Sequence, residues 1–178
     1  MANCLLNKSL LKANSCAYVL NEVKDVFLCN YSNVVSSDTS YDCESGVTLT
    51  DFTLASGAKF SHIEVAKGSV TYTDELVIED STGAKYRTHT LTFGLNGAYD
   101  KDMVCPVDAL SLGRFFAVVK TAGGQYLALG RTAGLEASEQ AISGGETNGI
   151  TVTLTANVAE TAVPLDDAAV AKLLANLY

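Results

Sequence analysis

The residues in this chain best suited to acid–base chemistry are Asp74 and His89. The sequence has two histidines, His62 and His89, and an imidazole oriented by a carboxylate forms half of a catalytic triad. If residues 80–83 form the turn of a hairpin, His89 lies directly across from Asp74. Such a pair also occurs in ordinary hairpins, where it contributes about 0.2–1 kcal/mol. Because no nucleophile is predicted beside it, we interpret the pair as structural.

The sequence contains none of the motifs that usually mark a catalytic or nucleotide-binding centre. It has no Gly-x-Ser-x-Gly elbow, Walker loop or His-Glu-x-x-His segment. The glycine pairs at 123–124 and 144–145 lie in turn contexts with no following Lys-Ser/Thr or helix, which argues against a phosphate cradle. Asp38, Asp42 and Glu44 lack the spacing of a calcium loop. We therefore expect no enzymatic activity, no cofactor and no metal site.

The cysteines indicate neither a zinc site nor a disulfide framework. There are five of them: Cys4, Cys16, Cys29, Cys43 and Cys105. Their odd number and wide spacing fit neither tetrahedral zinc ligation nor a small disulfide scaffold. The leucines of residues 1–16 are interrupted by Asn and Lys, so this segment lacks the continuous apolar core of a secretory signal. We expect buried or free thiols in a reducing cytoplasm.

Composition and charge exclude several classes of protein. The 178 residues include 12 Lys and Arg against 20 Asp and Glu, which gives a net charge of −8. A nucleic-acid-binding domain normally carries a basic patch, so this balance argues against one. The chain is 48% apolar and 18% charged, which is the composition of a folded protein, and no apolar run reaches the roughly 18 residues of a membrane span. We expect one soluble domain over residues 1–178.

Alternation of apolar and polar residues predicts a mainly β fold, either a sandwich or a barrel. Ile150, Val152 and Leu154 face one way along a strand, and the intervening threonines face the other. The alternation that begins at residue 47 changes phase at Asp51, which predicts a β-bulge or tight bend there. Residues 23–31 form a further candidate strand. We expect long loops where alternation is absent: residues 32–46, 94–106 and 136–149.

The longest predicted feature is a hairpin over residues 69–95. Its turn is residues 80–83, and Gly83 stands where a positive φ is needed. A four-residue turn gives these cross-strand pairs on one face: Val70 with Phe93, Tyr72 with Leu91, Asp74 with His89, Leu76 with Arg87, and Ile78 with Lys85. The pairs near the base are apolar, and those near the turn are cationic on one strand. We therefore predict that the far half projects beyond the core and meets another subunit or solvent.

A second hairpin is predicted over residues 114–130, with its turn at residues 122–124. The apolar run at residues 115–119 is continuous rather than alternating. Its first strand should therefore be buried on both faces. Between the two hairpins we predict one helical turn, with Asp108 as its N-cap and Gly113 as its end.

Residues 166–178 are predicted to form a short amphipathic helix with Asp166 as its N-cap. Its apolar stripe consists of Val170, Leu173, Leu174 and Leu177. A helix of about 13 residues is marginal alone, so the stripe must dock on another surface. Both the chain's own sheet and a neighbouring subunit remain open as that surface.

Several segments in the second half of the chain follow one another in a characteristic order. They are the hairpin Tyr72–Phe93, the strand pair around Gly123-Gly124, Tyr126–Arg131 with Gly134-Leu135, Ser143-Gly144, and Asn148–Thr155 followed by Glu160. This order resembles that of tail tube proteins, also called major tail proteins, of long-tailed bacteriophages, especially those that infect gut Bacteroidetes. The resemblance covers about half of the chain and consists of layout rather than catalytic motifs.

The resemblance implies a β-sandwich or barrel with a flanking helix. Copies would form hexameric rings that stack into a hollow tube, through which genomic DNA passes without specific binding. The partners implied are other copies of the chain, other tail proteins and the DNA, and no membrane. The protein would be made in the cytoplasm of the bacterial host and reside in the virion tail. The excess of acidic residues fits such a tube, because negative charge repels phosphates.

Contacts between subunits are expected on the long hairpin and on the C-terminal helix. The candidates are Leu76, Ile78, Lys85, Arg87, Val170, Leu173, Leu174 and Leu177. Lys85 and Arg87 are either offset by the nearby Glu75 and Glu79 or directed toward another subunit. We favour salt bridges between stacked rings.

Other functions remain open from the sequence. One is a different phage structural role, such as a tail adaptor, a terminator or a head decoration. Another is a β-sandwich module that binds a surface or carbohydrate; the absence of Trp weakens this option, whereas 8 Tyr leave it open. A third is a small enzyme that uses His89 and Asp74.

Overall fold

A computed structural model of the chain describes residues 22–42, 46–65, 68–95, 101–144 and 149–178. The fold is mainly β with antiparallel pairing and two short helices, as the sequence predicts. The strands are β1 (Val23–Asn30), β2 (Val34–Asp42), β3 (Gly46–Leu54), β4 (Ser61–Glu64), β5 (Val70–Glu79), β6 (Ala84–Leu95), β7 (Arg114–Thr121), β8 (Tyr126–Leu129), β9 (Leu135–Ser143), β10 (Gly149–Val158) and β11 (Val163–Pro164). The helices are α1 (Val104–Leu112) and α2 (Asp167–Ala175), with a 3-10 turn at Tyr31–Asn33.

Nine strands form one sheet, and β2 and β3 form a separate antiparallel pair. The main path of the large sheet is β11-β8-β7-β9-β10-β6-β5, and β1 pairs with both β7 and β4. β7 pairs with β8 along residues 117–120 but with β9 only at Arg114 and Phe115. The sheet therefore divides at β7. We call β9, β10, β6 and β5 the hairpin layer.

Strand β7 is buried on both faces, as its continuous apolar run predicts. Phe115, Ala117 and Val119 face a core that they share with β1, the hairpin layer and α1. Phe116 and Val118 face a second core, shared with β1, β3 and α2. Alternation along one strand thus supplies side chains to two separate cores.

The long hairpin is formed by β5 and β6 in the predicted register. The predicted pairs on the core-facing side are all present, from Val70 with Phe93 to Ile78 with Lys85. Gly83 in the turn has a φ of +67°, and its N–H donates to the carbonyl at the end of β5 over 2.7 Å. The four-residue turn length therefore sets the register of the whole ribbon.

The predicted bulge near Asp51 is present in β3. Residues 38–39 of β2 pair with Asp51 and Leu49, so Thr50 is the additional residue on β3. The bulge lets Leu49 and Phe52 face the same core although three positions separate them.

The predicted loops are wrong in large part. Most of residues 32–46 is strand β2, and most of residues 136–149 is strand β9. Both strands are rich in polar residues and mostly exposed. Backbone hydrogen bonds hold β2 to β3 and β9 to β10, so neither strand depends on a buried apolar face. The third predicted loop, residues 94–106, overlaps the end of β6 at Leu95 and the start of α1 at Val104, and its residues 96–100 lie outside the described part of the chain.

Helix α1 begins earlier than predicted, and the assignment of Asp108 as its N-cap is wrong. The helix starts at Val104, and Asp108 lies inside it. Pro106 is tolerated because it stands in the first turn, where a backbone N–H has no intrahelical acceptor. The predicted end is correct: Gly113 caps the helix, and a Cβ there would lie 2.5 Å from the Phe115 ring.

Replacement of Phe116 by alanine should destabilise the protein strongly. The ring is fully buried and lies 5.9 Å from the Phe60 ring and 6.4 Å from the Phe52 ring. We expect a loss of about 3–5 kcal/mol in the free energy of unfolding, measured by urea denaturation. Phe116→Leu, which keeps most of the volume, should lose less. Equal losses in the two variants would contradict the packing described here.

Candidate subunit-contact site

The long hairpin projects beyond the rest of its layer, as predicted. β10 pairs with β6 only as far as Arg87, which stands opposite Leu76 on β5. Beyond this point the two strands pair only with each other and then turn. At about 3.3 Å per residue, the last three pairs extend roughly 10 Å past the layer. We call residues 76–86 the hairpin tip.

The hairpin tip carries two exposed aliphatic side chains on one face. Leu76 is 55% exposed and Ile78 is 53% exposed. Alternation places them on the same face as Val70, which is buried in the first core. The polar cluster of Asp74, His89 and Arg87 interrupts this face, and Leu76 and Ile78 lie beyond it, past the point where the chain's own core ends.

The two basic candidates on the hairpin differ in their surroundings. Lys85 is exposed and stands across from Ile78. Arg87 is instead held within its own chain: its Nε lies 2.5 Å from Asp74 Oδ1, and its guanidinium also donates to the Asp74 carbonyl. The acidic partner is therefore Asp74 rather than Glu75 or Glu79, and Arg87 anchors the base of the tip.

Asp74 ties the hairpin to the chain segment that follows β10. Besides the bond from Arg87, its Oδ2 accepts the backbone N–H of Ala162 over 2.8 Å. Burial would raise the pKa of Asp74, but the hydrogen bonds from Arg87 and Ala162 outweigh burial and hold this pKa below its usual value. The carboxylate is thus charged at neutral pH and holds two segments together.

His89 is buried at the centre of the same cluster, with 1% of its surface exposed. Its Nδ1 accepts the N–H of Gly130 over 3.2 Å, so the proton of the neutral ring is on Nε2. Nε2 lies 3.5 Å from Asp74 Oδ1 and has no hydrogen-bond partner among the described residues. Burial lowers the pKa of His89, although the carboxylates of Asp74 and Glu160 oppose this effect. The Asp74–His89 pair lies at the root of the tip, where His89 is buried and Asp74 is partly buried.

A second ion pair, which sequence reasoning did not find, lies beside this cluster. Arg131 binds the buried carboxylate of Glu160 through two of its nitrogens and donates to the Ser37 carbonyl over 3.0 Å. It therefore joins β2, the turn after β8 and the segment after β10. Glu160 stands out in the sequence only as the acidic residue that follows the last long strand.

The C-terminal helix docks on the chain's own fold. Asp166 caps it as predicted, because its carboxylate accepts the N–H of Ala169 over 2.8 Å. Leu173 is fully buried in the second core, and Leu177, which follows the end of the helix, packs partly buried against it. Val170 is partly buried but does not belong to this core, and Leu174 is 48% exposed. Of the four stripe residues proposed as subunit contacts, Leu173 is therefore occupied internally and Leu174 is the most accessible.

An apolar pocket of about 430 Å³ opens at the other end of the first core. Its apolar lining side chains lie on β1, β4, β6, α1 and β7 or directly beside them: Leu28, Ile63, Leu95, Met103, Leu110 and Phe115. Lys59 and Glu64 stand among its polar lining residues. This pocket was not predicted, because no local sequence pattern shows that these segments meet.

The face of the hairpin layer that points away from the core is covered with threonines. They are Thr71, Thr73, Thr88, Thr90, Thr92, Thr151, Thr153 and Thr155, which alternate with core residues along β5, β6 and β10. The hydroxyls of Thr92 and Thr153 are 3.1 Å apart. On these three strands, all of which the structure describes, no Lys or Arg has this orientation. We call this surface the threonine face.

Metal-binding clusters, membrane-spanning helices and free thiols are further features that bear on the chemistry of the described residues. No group of three or more His, Cys, Asp or Glu there is placed to hold a metal ion, and no helix there is long and apolar enough to cross a membrane. Cys29 is a buried free thiol whose pKa burial raises to about 11, and Cys105 is an exposed free thiol. Cys4, Cys16 and Cys43 lie outside the described residues.

The buried His89 predicts that the protein becomes less stable on acidification. An unfolded histidine has a pKa of about 6.5, and the folded value is lower. Between these values only the unfolded state binds the proton, so unfolding is favoured as the pH falls. From about pH 7 to about pH 5, the free energy of unfolding should fall more steeply in the wild type than in His89→Gln, by at most about 1.4 kcal/mol per pH unit.

Urea titrations at each pH measure this difference. His62→Gln removes the other histidine and leaves His89 in place, so it should retain the steep dependence. The same pH dependence in the wild type and in His89→Gln would contradict a neutral, buried His89.

Comparison with known proteins finds no protein-family model, curated protein or solved structure that matches this chain. The function must therefore be inferred from the geometry and charge of the hairpin layer and its tip.

Proposed function

We propose that the chain is a virion structural protein: the subunit of a phage tail tube, which self-assembles into hexameric rings that stack around the path of the DNA. The observation that carries this proposal is the projecting hairpin tip with Leu76 and Ile78 more than half exposed. Adjacent aliphatic side chains on a protruding ribbon are typical of a surface that another protein covers. In this proposal the β fold is of the tail-tube type, and the partners are other copies, other tail proteins and passing DNA.

Two open edges of the hairpin layer support assembly into a ring. Among the described strands, β5 pairs only with β6, and β9 pairs along its outer edge only at Leu135 and Glu136. The layer is antiparallel throughout, so β5 and β9 run in opposite directions. β5 of one copy can therefore add to β9 of the next in an antiparallel pair. The same two edges would meet at every contact, which is the geometry of a closed ring.

The threonine face supports a role beside DNA. Proteins hold duplex DNA mainly through Lys and Arg, which release the counterions of the phosphates. β5, β6 and β10 present hydroxyls and no cation on this face, and the whole chain carries a net charge of −8. A tube lined by this face would let DNA slide without retaining it.

Assembly of the purified protein tests the proposal directly. We expect rings and stacked tubes in negative-stain micrographs, and light-scattering masses that are multiples of six chains of 18.7 kDa each. A monodisperse monomer that persists at high protein concentration would overturn the proposal.

Cations introduced on the threonine face should make the assembled protein retain DNA. We expect Thr73→Lys/Thr151→Lys, at two exposed positions of this face, to bind a short duplex at least about tenfold more tightly than the wild type at low salt, with the gain lost as salt rises. Fluorescence anisotropy of a labelled duplex measures this. Ser36→Lys/Ser40→Lys, at two exposed positions of β2, is the control with the same added charge. Equal gains in both variants would argue against this face as the DNA path.

A further inference from the structure

We infer that the hairpin tip of one copy inserts Leu76 and Ile78 into the apolar pocket of a second copy in the next ring. This inference rests on the proposed function and assigns the contact that stacks the rings. The ring itself is attributed to the backbone edges of β5 and β9, whereas stacking is attributed to side chains at the end of β5.

The tip and the pocket lie at opposite ends of the same ribbon. β6 begins at the tip with Ala84 and ends at the pocket with Leu95. At about 3.3 Å per residue these two positions are roughly 35 Å apart. The tip therefore cannot fill the pocket of its own chain, and a second copy must supply it. A contact between different surfaces of identical subunits repeats along an axis, as the stacking of rings requires.

The chemistry of the two surfaces matches. The pocket of about 430 Å³ has an apolar floor that opens from the first core. Leu76 and Ile78 lie on the face of the ribbon that carries that same core in its own chain. Insertion would remove both side chains from water, which is favourable in proportion to the apolar area buried. The core of one copy would then continue into the core of the next.

The charges around the two surfaces are also complementary. The pocket lining includes one cation, Lys59, and one anion, Glu64. The tip carries Lys85 beside Ile78 and ends in the acidic residue Asp80. None of these four side chains forms an ion pair within the described residues. Each charge at the pocket therefore has an available opposite charge at the tip.

Two variants separate stacking from ring formation. Leu76→Thr/Ile78→Thr removes the apolar tip and places at both positions a β-branched residue, which strands favour. Ala109→Phe fills the pocket from α1, where Ala109 lines it and is exposed. In negative-stain micrographs each variant should form rings, with the mean number of rings per stack reduced to one. The controls Val35→Thr and Ala171→Phe, at exposed positions of β2 and α2, should form tubes of wild-type length.

Mixing the two variants tests the pairing itself. Rings without tips still have open pockets, and rings with filled pockets still have intact tips. An equal mixture should therefore give stacks of two rings and no longer tubes. Normal tubes from either variant alone, or no paired rings in the mixture, would overturn this inference and leave the proposed function standing. The absence of rings in the wild type would overturn both.

Discussion

Two-sided burial of β7 is the constraint on which the rest of the structure depends. Phe115 and Phe116 are neighbours in the chain but belong to different cores. A shift of one residue in the pairing of β7 with β1 would send each ring to the wrong side. The hairpin layer and α1 lie against one face of this strand, and β3 and α2 lie against the other. The direction in which the long hairpin projects is thus set relative to the C-terminal helix.

The root of the hairpin is polar, whereas the layers on either side of it are apolar. Asp74 binds Arg87 and the Ala162 backbone, and Arg131 binds Glu160 close by. Buried charges are costly unless they are paired, and paired charges accept few alternative geometries. Because the long hairpin extends beyond the core, a small rotation at its root would displace its tip by several ångströms. The paired charges at the root restrict that rotation.

Local patterns in the sequence predict much of the fold, and the predictions that are wrong have physical causes. The register of the long hairpin is predicted in full because turn length and alternation agree on it, and the two-sided burial of β7 follows from its unbroken apolar run. β2 and β9 are missed because polar strands are held by their neighbours rather than by an apolar face. The subunit contacts stay predictions, although the internal ion pair of Arg87 and the burial of Leu173 assign those two side chains to the chain's own structure.

The pocket and the Arg131–Glu160 pair show the limit of reasoning from sequence alone. Arg131 reaches Ser37, which is 94 positions away, and no local pattern encodes that contact. The pocket is assembled from segments between Leu28 and Tyr178. Such long-range features can be found only when the topology is known. The exposure of Leu76 and Ile78 is different, because the predicted register of the hairpin already implies it.

The bond between Asp74 and Ala162 has a consequence for the order of folding. The two residues are 88 positions apart, so the ribosome must complete most of the chain before the hairpin root can close. Contacts between residues distant in sequence form late, because closing a long loop costs conformational entropy before the contact adds any stabilisation. The ribbon is therefore oriented only after the rest of the domain exists. A nascent chain therefore does not present a finished tip until the segment that carries Ala162 has been synthesised.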